Sequence, residues 1–282
     1  MLKNLIKNAL LEDDVFNDVT SDLTIPKNSS IAFEITPRER IIFCGEEVIL
    51  EVFTQLKKSA KFKNTELDLE FFAQDGDVIN AGKSIARGAG DAKLIFAAER
   101  VILNLIQHLS GIATLSEKFV KTLDNKKITI LDTRKTLPTL RALEKYAVTM
   151  GGAKNHRQNL SEMILIKDNH IAAAGGVKKA IAAAKKSKKK IKIEVECDNL
   201  KQVAEAVGET CDIIMLDNME ISQIKKSIAL IKKSKKKILI EISGGVNLDN
   251  IKKFSKLEID SISIGFLTHS ARAVDIGLDI IN

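Results

Sequence analysis

Six runs of apolar, β-branched residues in this sequence end in residue types that bind ions or do chemistry: Asp132-Thr133-Arg134-Lys135, Lys167-Asp168-Asn169-His170, Glu194 and Glu196, Asp217-Asn218, Ser243-Gly244-Gly245, and Gly265. Arg134 offers a planar fork of donors that matches a carboxylate two bonds at a time, and Lys135 adds a compact charge beside it. Asn155-His156-Arg157 is a second cationic cluster, Lys167 a third, and Arg100 lies on a helical stretch upstream. Taken singly, an Arg-Lys pair is more often a salt-bridged turn, and a lone His a satisfied structural residue. Four basic elements near strand ends point to a pocket for a compact polyanion, because burying so many like charges without one is costly. Glu196 and Asp217 end neighbouring predicted strands and suit a hard divalent cation such as Mg²⁺, which takes one or two carboxylates plus substrate oxygens. Ser243-Gly244 and Gly265 offer unobstructed backbone amides to phosphate, and His269 follows closely enough to donate to the same group.

These residues need a scaffold that gathers strand ends. The segments IAAAKKSKKKIKIEVE and IALIKKSKKKILIEIS repeat one pattern, a periodic apolar helix ending in lysines and then a β-branched run. Further apolar runs at 128–133, 163–168, 212–218 and 260–266 alternate with helical patterns. Strands alternating with helices imply a parallel sheet. A (β/α) barrel brings all carboxyl ends of its strands to one face, and six polar ends favour it over a doubly wound sheet with one switch point. The fold class is therefore α/β. A closed barrel is an inference from six strands.

Residues 1–111 differ: IAFEITPRERIIFCGE alternates as antiparallel strands do, and Gln74-Asp75-Gly76-Asp77 reads as a turn within a hairpin. The helical stretch 91–123 contains Gly111, expected to mark a break between two helices and the boundary to a barrel domain over 112–268.

The net charge of +7 is concentrated in two lysine runs, Lys185 to Lys190 and Lys232 to Lys237, and with only 4% aromatic residues there is no stacking platform for nucleic acid. Cations at helix carboxyl ends account for the runs. Cys44, Cys197 and Cys211 are odd in number and lack metal spacing. No apolar run approaches the ~20 residues of a membrane span, and the first residues lack signal-peptide architecture, so a cytoplasmic location with no membrane partner is expected.

Together these motifs, with Asp18-Val19-Thr20-Ser21, Glu99-Arg100, Asn104, Ser110-Gly111-Ile112-Ala113-Thr114, Thr136, Gly151-Gly152 and Thr268-His269-Ser270, resemble in order and spacing the quinolinate phosphoribosyltransferase family. The resemblance implies an N-terminal α+β sandwich, an irregular seven-stranded α/β barrel, and a last segment, 269–282, returning to the N-terminal domain. It implies a decarboxylating transfer that joins quinolinate to phosphoribosyl pyrophosphate, with Mg²⁺, in a homodimer with shared active sites. Whether dimers assemble into hexamers is left open. On this resemblance Thr133, Arg134, Lys135, His156, Arg157 and Lys167 hold quinolinate, with Arg100 reaching the neighbour's site. Lys135, Lys167, Glu196, Asp217, Ser243, Gly244, Gly265 and His269 hold the phosphoribosyl donor, Glu196 and Asp217 also hold the metal, and Lys135, Lys167, Glu196 and Asp217 are the catalytic set.

Two positions depart from the family pattern: Thr139 stands where a Gly is usual, and Ile242 where a small residue is frequent. The nearest alternative is the paralogous family linked to molybdenum transport, which uses a different acceptor; Arg134-Lys135, His156-Arg157 and the Lys167 motif favour quinolinate.

Overall fold

The structure is a computed structural model that describes residues 2–187 and 191–281, so Lys188 to Lys190 of the first lysine run lie outside the described residues. The chain divides into two compact units. The first runs to Glu117 and also takes in Tyr146–Gly152 and the segment from Ala271 onward; the second comprises Lys118–Lys145 and Ala153–Ser270.

In the first unit, helices α1 (Leu2–Glu12), α2 (Val19–Thr24) and α3 (Glu46–Lys58) accompany an antiparallel sheet. Its strands are β1 (Ser30–Pro37), β3 (Leu67–Phe71), β5 (Ala86–Asp91) and the C-terminal β12 (Ile276–Ile281), in the order β12-β1-β5-β3. Helix α3 buries Val48, Ile49, Val52, Phe53 and Leu56, a stripe at helical spacing. The strands β2 (Ile41–Ile42) and β4 (Val78–Ile79) pair separately. The turn at Gln74–Asp77 forms, with the Gln74 N–H donating to the Asp77 carboxylate at 2.9 Å. It does not close a hairpin as expected, because β3 before it and β4 after it belong to different sheets.

Helix α4 (Ala92–Leu123) is continuous, so Gly111 does not break it. The glycine serves close approach: a Cβ there would lie 2.1 Å from the Arg272 carbonyl oxygen. Its cost in helix propensity, about 1 kcal/mol, is small enough for a long buried helix to carry. By contacts, the first stretch of the first unit runs to Glu117.

The second unit alternates strand and helix. Strands β6 (Thr129–Leu131), β7 (Ile164–Ile166), β8 (Ile193–Cys197), β9 (Ile213–Asp217), β10 (Leu239–Ser243) and β11 (Ser261–Ser263) form one sheet in the order β6-β11-β10-β9-β8-β7, with every ladder parallel. Helices α5 (Arg141–Met150), α6 (Asp168–Ala174), α7 (Val177–Ala184), α8 (Leu200–Glu209), α9 (Ile221–Lys233) and α10 (Phe266–His269) follow the strands in the chain, α5 belonging to this unit only as far as Lys145. The repeated helix–strand unit is α7 with β8 and α9 with β10. An isolated parallel bridge, Leu131 to Lys154, extends the ladder beyond β6 as a seventh position. Among the described residues no ladder joins β6 to β7, which stand at opposite ends of the strand order, so hydrogen bonds do not close the barrel there. The lysines that follow the helices act as caps. The Lys236 ammonium donates to the carbonyls of Val207 (2.6 Å) and Gly208 (3.1 Å) at the end of α8, and that of Lys185 donates to the Glu209 carbonyl.

Candidate active site

Alternation along the strands decides which side chains face inward. On β8, Glu194 and Glu196 share one face, and they flank Val195 on the other. In register, Glu196 stands beside Met215, Asp217 beside Ser243, and Glu241 beside Met215 and Ser261. The last inward residue of each strand therefore opens on one face, and the residue two earlier lies below it.

A cavity of about 700 Å³ occupies that face. Among its walls are Thr133, Arg134, Lys135, His156, Arg157 and Lys167 on one side, and Glu196, Asp217, Ser243, Gly244, Gly265 and His269 on the other. Every residue expected at the site is there except Arg100, which belongs to the first unit and is exposed, its guanidinium 2.7 Å from the Glu99 carboxylate. The cavity also takes in residues with no polar signature to reveal them, such as Leu165, Met215, Val246 and Phe266.

The cationic side is built on a buried anchor. Asp132 and Lys145 form an ion pair in which neither side chain has exposed surface. Desolvation pushes the Asp132 carboxyl up and the Lys145 ammonium down, each toward neutrality, against their mutual attraction. Asp132 also accepts from the Asn155 amide (2.8 Å) and the His156 backbone N–H (2.8 Å). One carboxylate thus ties the loop carrying Arg134 and Lys135 to the loop carrying His156 and Arg157. The Thr133 hydroxyl accepts from the Lys135 N–H at 3.1 Å, and the Thr268 hydroxyl donates to the Lys135 carbonyl at 2.8 Å. Arg157 donates to the Met163 carbonyl at 2.9 Å. Its pKa is lowered, first by burial and then by the nearby Arg134. The Arg134 Nε is buried and has no acceptor.

Lys167 ends β7 and begins α6, and its N–H donates to the His170 ring at 3.0 Å, which gives that His a local structural role. The Lys167 ammonium lies 2.8 Å from Glu196, the contact that joins the cationic and anionic sides. At the opposite wall Gly244 has φ +87°, and a Cβ there would lie 2.3 Å from the Asn218 side-chain oxygen, so only glycine leaves room for the turn. His269 is exposed, its Nδ1 2.6 Å from the Ser270 hydroxyl.

Below the cavity lies a layer of charge that includes Glu194, which belongs to the same strand as Glu196 but lies one layer deeper. Glu194 and Glu241 are 0% and 1% exposed, and His156 Nε2 lies 3.0 Å from Glu194 and 3.6 Å from Glu241. Glu241 accepts from the Ser261 hydroxyl at 2.9 Å and from that of Ser263. Burial first, and then the charge of Glu194, push its pKa up to about 7. The signal in the sequence was the period-2 spacing of Glu194 from Glu196 and of Glu241 from Ser243. His156 Nδ1 accepts from the Arg157 N–H at 2.8 Å. Both ring nitrogens of His156, a residue expected to hold a substrate carboxylate, are thus engaged within the chain.

The site is cationic on one wall and offers hard oxygen ligands and a glycine turn on the other. Such walls have the chemistry to take a polycarboxylate on one side and phosphate oxygens on the other. The three cysteines are buried, and burial raises all three thiols, that of Cys211 to about 11, which leaves none poised as a nucleophile.

Comparison with known proteins covers both units. Residues 18–110 match the family model described as quinolinate phosphoribosyl transferase, N-terminal domain, and residues 112–279 match its C-terminal domain. A probable nicotinate-nucleotide pyrophosphorylase (carboxylating) of Bacillus subtilis is 40% identical over 280 residues, 99% of this chain and 93% of that relative. A protein of the same description from Methanocaldococcus jannaschii is 41% identical, over 98% of this chain and 96% of its own. Among solved structures, nicotinate-nucleotide pyrophosphorylase from Ehrlichia chaffeensis superposes with a TM-score of 0.91 at 40% identity, over 99% of this chain and 98% of that one.

Proposed function

Because the chain belongs to the quinolinate phosphoribosyltransferase family, we propose that the cavity at its strand ends is where quinolinate and phosphoribosyl pyrophosphate become nicotinate mononucleotide, CO₂ and pyrophosphate. The chain is thus a decarboxylating pentosyltransferase of NAD biosynthesis. One observation carries the placement: Arg134, Lys135, Arg157 and Lys167 converge on the same cavity as Glu196, Asp217 and Ser243-Gly244. Quinolinate has two carboxylates, and the buried, acceptor-less Arg134 Nε is a donor that such an anion satisfies.

Arg134 and Arg157 clamp the carboxylates and so orient the ring nitrogen toward the anomeric carbon of the donor. Thr133 holds the Lys135 turn, and Lys135 and Lys167 span acceptor and donor. The ring nitrogen lone pair forms the new N–C bond as the anomeric C–O bond breaks and its electron pair leaves with pyrophosphate. Glu196 and Asp217 hold the ribose hydroxyls, and Glu196 stabilises the positive charge that develops at the sugar. Ser243, Gly244, Gly265 and His269 receive the 5′-phosphate region. Glu196 and Asp217 are hard oxygen donors on neighbouring strands, a donor set that fits Mg²⁺. When bound, that ion supplies charge neutralisation to the pyrophosphate. In the second stage the bond from the ring to the carboxylate beside the nitrogen breaks. CO₂ departs, the cationic ring holds the electron pair, and a proton from water replaces it.

The chain works as a homodimer in which Arg100 completes the neighbour's site, in the cytoplasm. No described helix is long and apolar enough to cross a membrane. The test is to supply purified protein with quinolinate, phosphoribosyl pyrophosphate and Mg²⁺ and to measure CO₂ and nicotinate mononucleotide together. Equimolar formation is expected; no product from folded, dimeric protein would overturn the reading.

A further inference from the structure

We propose that Glu194, which has no place in the cavity wall, is a positioning residue for quinolinate, acting through His156 on the Arg157 backbone. The inference rests on quinolinate being the acceptor.

The geometry forms a relay of three groups. Glu194 is wholly buried and accepts at 3.0 Å from His156 Nε2. With the proton on Nε2, Nδ1 keeps its lone pair and accepts from the Arg157 N–H at 2.8 Å. The Arg157 backbone is then fixed at its amide, and its guanidinium is fixed at the Met163 carbonyl, 2.9 Å away. A neutral imidazole has one donor and one acceptor, and which nitrogen carries the proton is set by the partner of the other. Glu194 is an acceptor, so it selects the tautomer that Arg157 requires.

Two influences compete for the charge on His156. Burial disfavours it, while the bond to Glu194 and the charges of Glu194 and Glu241 favour it and raise the pKa overall. A second proton would have to sit on Nδ1, facing the Arg157 N–H, and that contact would be lost. The direct contact decides for the neutral ring. Glu241 lies farther from His156 Nε2, at 3.6 Å against 3.0 Å for Glu194, so Glu194 is the nearer acceptor of the His156 proton.

The relay distinguishes Glu194 from a carboxylate that merely fills the barrel interior. Glu194→Ala removes the acceptor, whereas Glu194→Gln retains one in its amide oxygen. His156→Asn places an amide oxygen where Nδ1 stands, so Arg157 keeps its acceptor without any help from Glu194. The expected result is a tenfold or greater rise in the quinolinate KM for Glu194→Ala, with the KM for phosphoribosyl pyrophosphate within twofold of wild type. Glu194→Gln should restore the quinolinate KM to within about threefold. In the His156→Asn background, adding Glu194→Ala should change it by less than twofold. An undiminished tenfold effect in that background, or equal losses for both substrates, overturns the relay.

A readout independent of activity is the nitrogen-15 spectrum of the His156 ring in wild-type protein. It should show Nδ1 unprotonated and Nε2 protonated at neutral pH. A doubly protonated ring or the opposite tautomer overturns the proposal even if Glu194→Ala does not fold. Failure of wild-type protein to make nicotinate mononucleotide, with the expected tautomer present, would refute the acceptor and not the relay.

Discussion

The Lys145 ammonium donates to the Asp132 carboxylate with both side chains 0% exposed, and that single pair organises the cationic wall of the site. Removing one partner strands the other charge without water, a loss of about 3–5 kcal/mol. Asp132→Ala should therefore lower the unfolding free energy by that amount in denaturant titration. A change below about 1 kcal/mol would mean that the pair is not buried as described.

Arg134 tests the substrate pocket without touching this anchor. Arg134→Ala removes a charge-assisted fork from a carboxylate, and roughly a hundredfold or more should be lost from kcat/KM for quinolinate, about 3 kcal/mol. Circular dichroism and melting temperature should stay close to wild type. Unchanged kinetics would refute the role of Arg134.

Arg100 tests the shared site. If it completes the neighbour's pocket while Arg134 serves its own, the Arg100→Ala and Arg134→Ala proteins, each nearly inactive, complement when mixed and reassembled. Half of the dimers are then hybrids with one intact site each, so activity should return to about a quarter of wild type. No recovery in verified hybrids would place both arginines in one chain's site.

Glu241 sets a pH dependence. Its folded pKa lies above the ordinary glutamate value, at about 7, so the folded state binds the proton more tightly than the unfolded chain does. The resulting stabilisation is full below pH about 4.5, falls as pH rises, and is gone above about 7. Glu241→Gln mimics the protonated form and should lack this slope. The melting temperature of wild type minus that of the variant should decline through this window and level off above it. A difference independent of pH would show that Glu241 is not proton-linked to folding.

Thr139 occupies φ +69°, a left-handed conformation in which a β-branched side chain is strained and glycine is not. The side chain is exposed, so little packing is at stake. Thr139→Gly should raise the unfolding free energy by about 1 kcal/mol, the relief of strain exceeding the added entropy of the unfolded chain. A loss of stability would show that the hydroxyl or methyl makes a contact of greater value than the strain. Ile242, the other departure from the family pattern, is buried on the opposite face of β10 from Glu241 and Ser243 and does not line the cavity.

Most of the polar residues that line the cavity were legible before the fold because they sit at strand ends. Apolar runs must stop where the strand leaves the core, and the polar residues at the stop are the ones the sheet delivers to one face. Thus Arg134, Lys167, Glu196, Asp217, Ser243 and Gly265 could be read from local sequence, as could the alternation of strand and helix. The lysine runs could be assigned to helix ends on the same local grounds.

Relations between distant segments could not be read this way. That Gly111 lies under the Arg272 carbonyl within an unbroken helix, and that the turn at Gln74–Asp77 joins two sheets, depend on partners far along the chain. The pairing of Asp132 with Lys145, and the burial of Glu194 one layer beneath Glu196, were likewise decided by packing. A carboxylate at a strand end and one two residues earlier share the same alternation. Only the packing around them leaves Glu196 facing the cavity and encloses Glu194 with His156.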